Sequence, residues 1–220
     1  RGVFLDISKA FDRVWHDGDL FKLKANGVSG KAYKLIESVL ETRYQRVILN
    51  GQSSSWKNIR AGVPQGSILG PLLFLVYIND ISKDLESKVK IFADDTSIFS
   101  TVYDQNISAN VMNSDFAEIQ QWAYQWKMYF NSDHSKQGQE VIFSRKSNKG
   151  NDPDLFFNRS KIPVTSSQKH LGLILDEKLS FNTHLKIVMD KVTKRINIQR
   201  KLRHFMPRNS LITVYKSFIR

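Results

Sequence analysis

The sequence contains no cysteine among its 220 residues. This absence excludes a disulfide scaffold and any cysteine-ligated zinc knuckle within the chain, and it fits an intracellular protein. Long apolar runs are also lacking, because the longest, residues 72–78, is far too short to span a bilayer. Asp6 interrupts the apolar run near the beginning, so we expect no signal peptide.

Acidic residues are comparatively few, since the sequence has 21 Asp and Glu and 33 Lys and Arg. The formal net charge is +12. The excess is concentrated: residues 186–220 carry 10 basic side chains and 1 acidic one, which leaves a net charge of only +3 for residues 1–185. We therefore expect a polyanionic partner that contacts mainly residues 186–220. The length fits one domain or one and a half.

Two adjacent carboxylates, Asp94 and Asp95, are the most informative feature that is present. Apolar residues alternate with others on both sides of the pair, which predicts a β-hairpin with the pair in its turn. Adjacent carboxylates repel each other and stay ionised most readily beside a cation. This segment alone leaves two interpretations open, a divalent metal site or an ordinary solvated turn.

A third carboxylate, Asp6, ends the short apolar run of residues 3–5. A solitary charge at the end of a buried strand is costly unless it is matched, and two strand ends can converge in one sheet. Between the two acidic segments, Gly and Pro in residues 61–71 predict a loop, and the apolar residues 72–78 predict a buried helix.

The order of these segments resembles the reverse transcriptase domain of non-LTR (LINE-like) retrotransposons, with the Jockey-like elements as the nearest group. Group II intron and retron enzymes are the nearest rival family. The resemblance covers nearly the whole chain and rests on five segments: residues 6–11, 62–74, 92–96, 122–143 and 170–176. Within the fourth, helical spacing of Ile119, Trp122, Trp126 and Phe130 favours a core stripe over a base-stacking platform.

The resemblance implies an α+β fold of the right-hand polymerase type. Residues 1–165 would form the palm, an antiparallel sheet that carries the carboxylates and is backed by helices. Residues 166–220 would form the primer-grip segment and the start of a basic helical thumb. Because only five residues precede Asp6, we expect that the fingers are missing and that the chain is part of a longer polyprotein.

The implied activity is RNA-directed DNA polymerisation, in which two Mg²⁺ ions, or Mn²⁺ in their place, serve the transfer of a dNTP onto a primer 3′-hydroxyl. Asp6 and Asp94 would bind both ions and the backbone carbonyl of Ile7 would add a ligand. Asp95 would support the site from its edge. Carboxylate oxygens are the hard ligands that Mg²⁺ requires.

Nucleotide binding is implied at four further residues. Phe11 would block a ribonucleotide 2′-hydroxyl, although the same residue type also suits an apolar core. Gln65 and Gly66 would lie in the loop that touches the nascent base pair, and they also suit a helix-entry turn. Lys136, or His134 nearby, would neutralise the departing pyrophosphate, unless it is a solvated loop residue.

Nucleic-acid contacts are implied in the last third of the chain, with an RNA template, a DNA primer and their duplex as partners. Leu171 and Gly172 belong to the primer-grip segment. A basic amphipathic helix ending before Pro207, with Ser210 as the cap of the next helix, would hold phosphates or be simply a solvated basic face. Its candidate phosphate-binding residues are Lys191, Lys194, Arg195, Arg200, Lys201 and Arg203.

Two classes of function follow. The first is a reverse transcriptase that is catalytic in its full-length context, as the intact carboxylates suggest. The second is a non-catalytic nucleic-acid-binding remnant of a decayed element, as the missing fingers suggest. The family also implies a nuclear and cytoplasmic location with no membrane partner.

Overall fold

The computed structural model describes residues 1–41, 43–131, 138–145 and 152–219. The strands are β1 (Gly2–Asp6), β2 (Tyr44–Gln45), β3 (Ile48–Leu49), β4 (Gln52–Ser53), β5 (Lys57–Asn58), β6 (Lys88–Phe92), β7 (Asp95–Phe99), β8 (Gln139–Val141), β9 (Phe156–Phe157), β10 (Ser160–Lys161), β11 (Ser167–His170) and β12 (Leu173–Asp176). The helices are α1 (Ala10–Arg13), α2 (His16–Ala25), α3 (Gly30–Glu41), α4 (Leu69–Ile78), α5 (Gln105–Gln125), α6 (Asn182–Leu202) and α7 (Arg208–Val214), followed by a π-helical turn, Tyr215–Ile219.

The main sheet has four strands in the order β6-β7-β1-β8, with β7 antiparallel to both β6 and β1. Because neighbouring side chains along a strand point to opposite faces, the register assigns each residue to one face. We name the first the core face: Val3, Leu5, Val89, Ile91, Thr96 and Ile98. We name the second the carboxylate face: Phe4, Asp6, Lys88, Lys90, Phe92, Asp95, Ser97 and Phe99.

Helices cover the core face. Val3, Leu5 and Ile98 are buried in one cluster with side chains of α4 and α5. Along α5 the apolar residues recur every three or four positions, which is the spacing of one helical face, and the buried ones are Ala109, Met112, Phe116, Ile119 and Ala123. Asp104 caps this helix by accepting a hydrogen bond from Ile107 N–H at 2.9 Å. The predicted mixture of helices with an antiparallel sheet is confirmed.

The predicted helical stripe is only partly right. Ile119 and Trp126 are buried in the core, and Trp122 packs partly buried against it. The helix itself ends at Gln125, however, and Lys127 takes a left-handed conformation with φ of +54°. Phe130 therefore lies beyond the helix, in an antiparallel bridge with Ile7. Its apparent helical spacing was coincidental.

The chain divides into two compact units. Unit 1 comprises Arg1–Glu140 and Asn148–Val164, and unit 2 comprises Val141–Ser147 and Thr165–Arg220. Unit 2 contains the β11–β12 hairpin, α6 and α7, and among its described residues only Val141 is buried. None of the helices in the described ranges is long and apolar enough to cross a membrane.

The break between α6 and α7 falls at Pro207, as predicted. The predicted cap is wrong, because Pro207 itself occupies the N-cap position in an extended conformation and Ser210 lies inside α7. Proline fixes φ near the value that a helix start requires, so no side-chain cap is needed to redirect the chain here.

Candidate functional site

The acidic residues gather at one end of the main sheet. Asp6 ends β1, Asp95 begins β7, and the two are direct cross-strand partners on the carboxylate face. Side chains in this relation have Cβ atoms about 4.5–5.5 Å apart, and two like charges so placed repel. Asp94 precedes Asp95 in the turn, where its carbonyl accepts a hydrogen bond from Ile7 N–H at 3.4 Å.

The turn differs in detail from the prediction. Only Ala93 and Asp94 form it, while Asp95 already belongs to β7. Ala93 has a φ of +50°, a left-handed conformation that glycine adopts more readily. The two adjacent carboxylates therefore belong to different elements, because Asp94 lies in the turn and Asp95 lies in strand β7. All three aspartates are half-buried.

Asn131 holds the carboxylate of Asp6. Its side-chain Nδ2 donates to Asp6 Oδ2 at 3.0 Å, and its backbone N–H donates to the Asp6 carbonyl at 2.9 Å. The neighbouring residues extend the contact, since Phe130 bridges Ile7 and the Tyr129 carbonyl accepts from Ser8 N–H at 2.8 Å. Sequence reasoning assigned no role to Asn131. In the sequence a single amide gives no sign of a partner 125 residues away.

The carboxylates suit a hard divalent cation by their chemistry. Half-buried carboxylate oxygens on one face are the ligand type that Mg²⁺ and Mn²⁺ take. Within residues 1–41, 43–131, 138–145 and 152–219, however, no three Asp, Glu or His side chains are grouped closely enough to hold a metal ion. The two facing carboxylates are thus the part of the predicted ligand set that the sheet brings together.

Phe11 lies on α1 and stacks on Phe74 of α4, with ring centroids 4.7 Å apart and an interplanar angle of 23°. Phe74 is fully buried, whereas Phe11 is only half-buried. The Phe11 carbonyl also accepts a hydrogen bond from Val63 N–H at 2.8 Å. Phe11 therefore contributes to the core and keeps part of its surface accessible, so both sequence interpretations remain compatible with its position.

The loop before α4 is held against α1. Gly62 has a φ of +88°, and a Cβ there would lie 2.8 Å from the Asp12 carbonyl oxygen. The Gln65 amide donates to Asp12 Oδ1 at 2.9 Å, and both side chains are exposed. Gly66 also has a positive φ, +84°, but nothing lies within 4 Å of the position a Cβ would take. The loop therefore packs closely against α1 at Gly62, whereas the space beside Gly66 is free of the other described residues.

The model of the family described as "Reverse transcriptase (RNA-dependent DNA polymerase)" matches residues 1–175. This chain belongs to that family. The predicted resemblance is confirmed, and the relatives are polymerases of jockey and other non-LTR retrotransposons.

Three curated relatives show how far the similarity extends. The RNA-directed DNA polymerase from mobile element jockey of Drosophila melanogaster is 33% identical over 99% of this chain. A probable RNA-directed DNA polymerase from transposon X-element of the same species is 30% identical over 100% of the chain, and the jockey polymerase of Drosophila funebris is 31% identical over 98%. The chain spans 24% of the length of each relative.

The other predicted site residues lie towards the end of unit 1 and in unit 2 or outside the described ranges. Lys136 and its alternative, His134, lie outside the described residues. The primer-grip candidates are described: Leu171 and Gly172 form the two-residue turn between β11 and β12, with φ values of +46° and +85°. Positive φ at both positions matches the twist of a two-residue hairpin.

Asp176, at the end of this hairpin, fixes the entry to α6. Its carboxylate accepts hydrogen bonds from the backbone N–H groups of Ser180, Phe181 and Lys178 at 2.8–3.1 Å. These bonds, with that of Ser180 foremost, lower the pKa of Asp176.

The six predicted phosphate-binding cations of unit 2 are all exposed, and Arg203 lies one residue beyond α6. At about 100° per residue, Lys191, Lys194, Arg195 and Lys201 fall within an arc of roughly 120°. Arg200 lies on the opposite side of the helix. The guanidinium carbon of Arg195 lies 5.1 Å from the centroid of the Phe218 ring. The helix therefore presents four of the predicted cations together and separates Arg200 from them.

Proposed function

We infer that this chain is the palm and the start of the thumb of an RNA-directed DNA polymerase from a non-LTR retrotransposon. Residues 1–165 are the palm, and residues 166–220 are the primer-grip segment and the first part of the thumb. Support comes from the register that sets Asp6 opposite Asp95, within the region that the reverse transcriptase family model matches. Unit 1 ends at Val164, next to this boundary, but Val141–Ser147 belong to unit 2.

In the proposed mechanism Asp6 and Asp94 would hold two Mg²⁺ ions, with the Ile7 carbonyl as a further ligand and Asp95 as support. The chemistry that such ions would supply is activation of a primer 3′-hydroxyl and stabilisation of the leaving pyrophosphate. The repulsion between the facing Asp6 and Asp95 carboxylates favours cation binding at this end of the sheet. Asn131 orients Asp6 through the bond to its Oδ2.

Phe11, Gln65, Gly66 and Lys136 position the substrates in this proposal. Stacking on the buried Phe74 fixes the Phe11 ring, which then excludes a 2′-hydroxyl from the sugar site. Gly66 lets the backbone approach a base pair closely, because no side chain occupies that space. Lys136 neutralises charge on the departing pyrophosphate. The cations of α6 and the Leu171–Gly172 turn contact the phosphates of the RNA template and DNA primer duplex.

Primer extension on an RNA template tests the catalytic part of the proposal. The assay uses this chain joined to the sequence that precedes it in the encoded protein, with dNTPs and Mg²⁺, and compares wild type with Asp94→Asn. The control is Asp84→Asn, because Asp84 is an exposed loop aspartate in the same unit. We expect Asp94→Asn to abolish extension and Asp84→Asn to leave it unchanged.

Equal extension by wild type and Asp94→Asn would remove the metal-ligand assignment. No extension by the wild type, together with retained nucleic-acid binding, would favour the non-catalytic remnant. In the same assay Phe11→Ala tests sugar selection: we expect it to incorporate ribonucleotides that the wild type rejects, whereas unchanged discrimination would leave Phe11 as a core residue only.

A further inference from the structure

Residues 43–60 form a two-stranded ribbon to which the proposed function gives no role. Near its base β2 pairs with β5, and towards its tip β3 pairs with β4 across the Asn50–Gly51 turn. Every residue of the ribbon is exposed except Arg43 and Ile59, which are half-buried. Packing therefore stabilises little of the ribbon, although it carries several large apolar side chains: Tyr44, Val47, Ile48, Leu49 and Trp56.

The ribbon carries charge of one sign only. Its 18 residues include Arg43, Arg46, Lys57 and Arg60 and no acidic residue. Arg43 serves the structure, because its Nη1 donates to the Gly62 carbonyl at 2.6 Å. Among the described residues the other three form no ion pair. The charge of the ribbon is complementary to a polyanion.

Aromatic rings accompany these cations. The guanidinium carbon of Arg46 lies 4.7 Å from the centroid of the Trp56 ring, so the two share one side of the ribbon. Alternation along the chain places Tyr44, two residues before Arg46, on that same side. Trp56 and Tyr44 are 59% and 61% exposed. Exposed rings beside an arginine are the combination on which unpaired bases stack.

The base of the ribbon joins the candidate substrate loop. Ile59 N–H donates to the Arg43 carbonyl at 2.9 Å and closes the ribbon. The Gly62 carbonyl accepts a hydrogen bond from Arg43 and a second one from His16 Nε2 at 2.9 Å. Gln65 follows three residues later. A strand bound on the ribbon would thus lie next to the loop that carries Gln65 and Gly66.

We propose that the side of the ribbon formed by Tyr44, Arg46 and Trp56 binds single-stranded RNA by base stacking and phosphate contact. The proposal rests on the proposed function only in identifying that strand as template before it reaches the site. Single-stranded rather than duplex RNA is favoured because rings can stack only on bases that are not already covered by neighbours.

Fluorescence anisotropy with a labelled oligouridylate of about 12 nucleotides, a length within the usual site sizes, tests this proposal on the 220-residue chain. We expect Trp56→Ala and Tyr44→Ala each to weaken binding by about tenfold, since stacking on one ring typically contributes that much. Arg46→Gln should lower the slope of log affinity against log salt by about 0.7, whereas Lys57→Gln, on the opposite side of the ribbon, should leave it unchanged. The unfolding midpoint should not change, because these side chains are exposed.

Two controls separate stacking from general effects. Tyr103→Ala removes another tyrosine of unit 1, 96% exposed and outside the ribbon, and Leu49→Ala removes an exposed apolar side chain at the ribbon tip. Neither should change RNA affinity. Trp56→Phe keeps a stacking ring, so it should retain most of the affinity while losing the largest part of the RNA-induced quenching of tryptophan fluorescence.

Unchanged affinity in Tyr44→Ala and Trp56→Ala would overturn the proposal, as would an equal loss in Tyr103→Ala. If these ring variants leave RNA affinity unchanged but dissociate a dimer of this chain in sedimentation, the ribbon is a protein contact instead. Asp94→Asn should bind the oligonucleotide normally. Failure of the catalytic proposal, seen in primer extension, is thereby distinguishable from failure of this one.

Discussion

The two units of this chain obtain their structure in different ways. Unit 1 builds a continuous core in which side chains such as Phe74, Phe116 and Ile98 are fully buried. Unit 2 buries only Val141 among its described residues, and its long helix α6 contains no buried side chain. Tertiary packing therefore positions the carboxylates of unit 1, whereas local helical pattern and surface charge define unit 2.

The basic side chains of the two units show the same contrast in burial. In unit 1, Lys22 is buried, and its Nζ donates to Asp80 Oδ1 at 2.5 Å and to the Tyr77 carbonyl at 2.6 Å. The same Nζ lies 3.7 Å from the centroid of the Trp126 ring. In unit 2 the cations of α6 are exposed. A buried cation with these partners serves the fold, while an exposed basic face is available to a partner.

The largest expected difference between the units comes from truncating the same residue type in each. Met112 on α5 is 0% exposed and Met189 on α6 is 62% exposed. We expect Met112→Ala to lower the free energy of unfolding by about 2–5 kcal/mol, because it leaves a cavity in the core. Met189→Ala should change it by less than about 0.5 kcal/mol. Urea unfolding measures both, and equal losses would contradict the contrast drawn between the units.

A second comparison concerns two glycines of the loop in unit 1. Gly62→Ala should cost about 3 kcal/mol of unfolding free energy, because its φ is strained for alanine and its Cβ would meet the Asp12 backbone. Gly66→Ala should cost only about 1 kcal/mol of unfolding free energy, because alanine disfavours the positive φ but its Cβ would make no close contact. Chemical denaturation distinguishes them. If both cost the same, the loop is not fixed at Gly62.

Asp19 is a buried carboxylate in unit 1, and its ionised form destabilises the folded state. It is fully buried, and among the described residues its carboxylate oxygens have no hydrogen-bond partner. Burial raises the pKa of Asp19 from 3.8 to about 7. The folded state therefore binds this proton more tightly than the unfolded state, so the contribution of Asp19 to stability is greatest below about pH 4 and is lost as pH rises through about 7.

Asp19→Asn should remove this pH dependence. Relative to the variant, the wild type should lose on the order of 4 kcal/mol between pH 4 and pH 8. Thermal or urea unfolding across that range measures the difference. A constant difference between the two proteins at all pH values would show that Asp19 does not titrate on folding.

The smallest expected effect is that of a single cation on α6. Lys194→Gln should lower the slope of log affinity against log salt by about 0.9 for duplex nucleic acid, since one phosphate contact is lost. Arg200→Gln, on the opposite side of the helix, should leave the slope unchanged. Neither should alter unfolding. Equal slopes for both variants would mean that no single face of α6 holds the duplex.

Much of the local structure was predictable. Strict alternation marked β6 and β7, the apolar run before Asp6 marked β1, and the Gly and Pro of residues 61–71 marked the loop before α4. These predictions succeed because side-chain periodicity and turn chemistry act over a few residues. The end of α5 was harder to predict, because Phe130 has helical spacing in the sequence but packs into the core from an irregular segment.

The sequence by itself determined the family, the presence of the three carboxylates, the basic character of residues 186–220 and the elements β1, β6, β7, α4 and α6. Only the tertiary structure decided that Asp6 faces Asp95 and that Asn131 holds Asp6. It also decided that Gly62 lies against the backbone of Asp12. The physical reason is range: pattern and propensity act between neighbours, whereas register and close approach are set by the packing of distant segments.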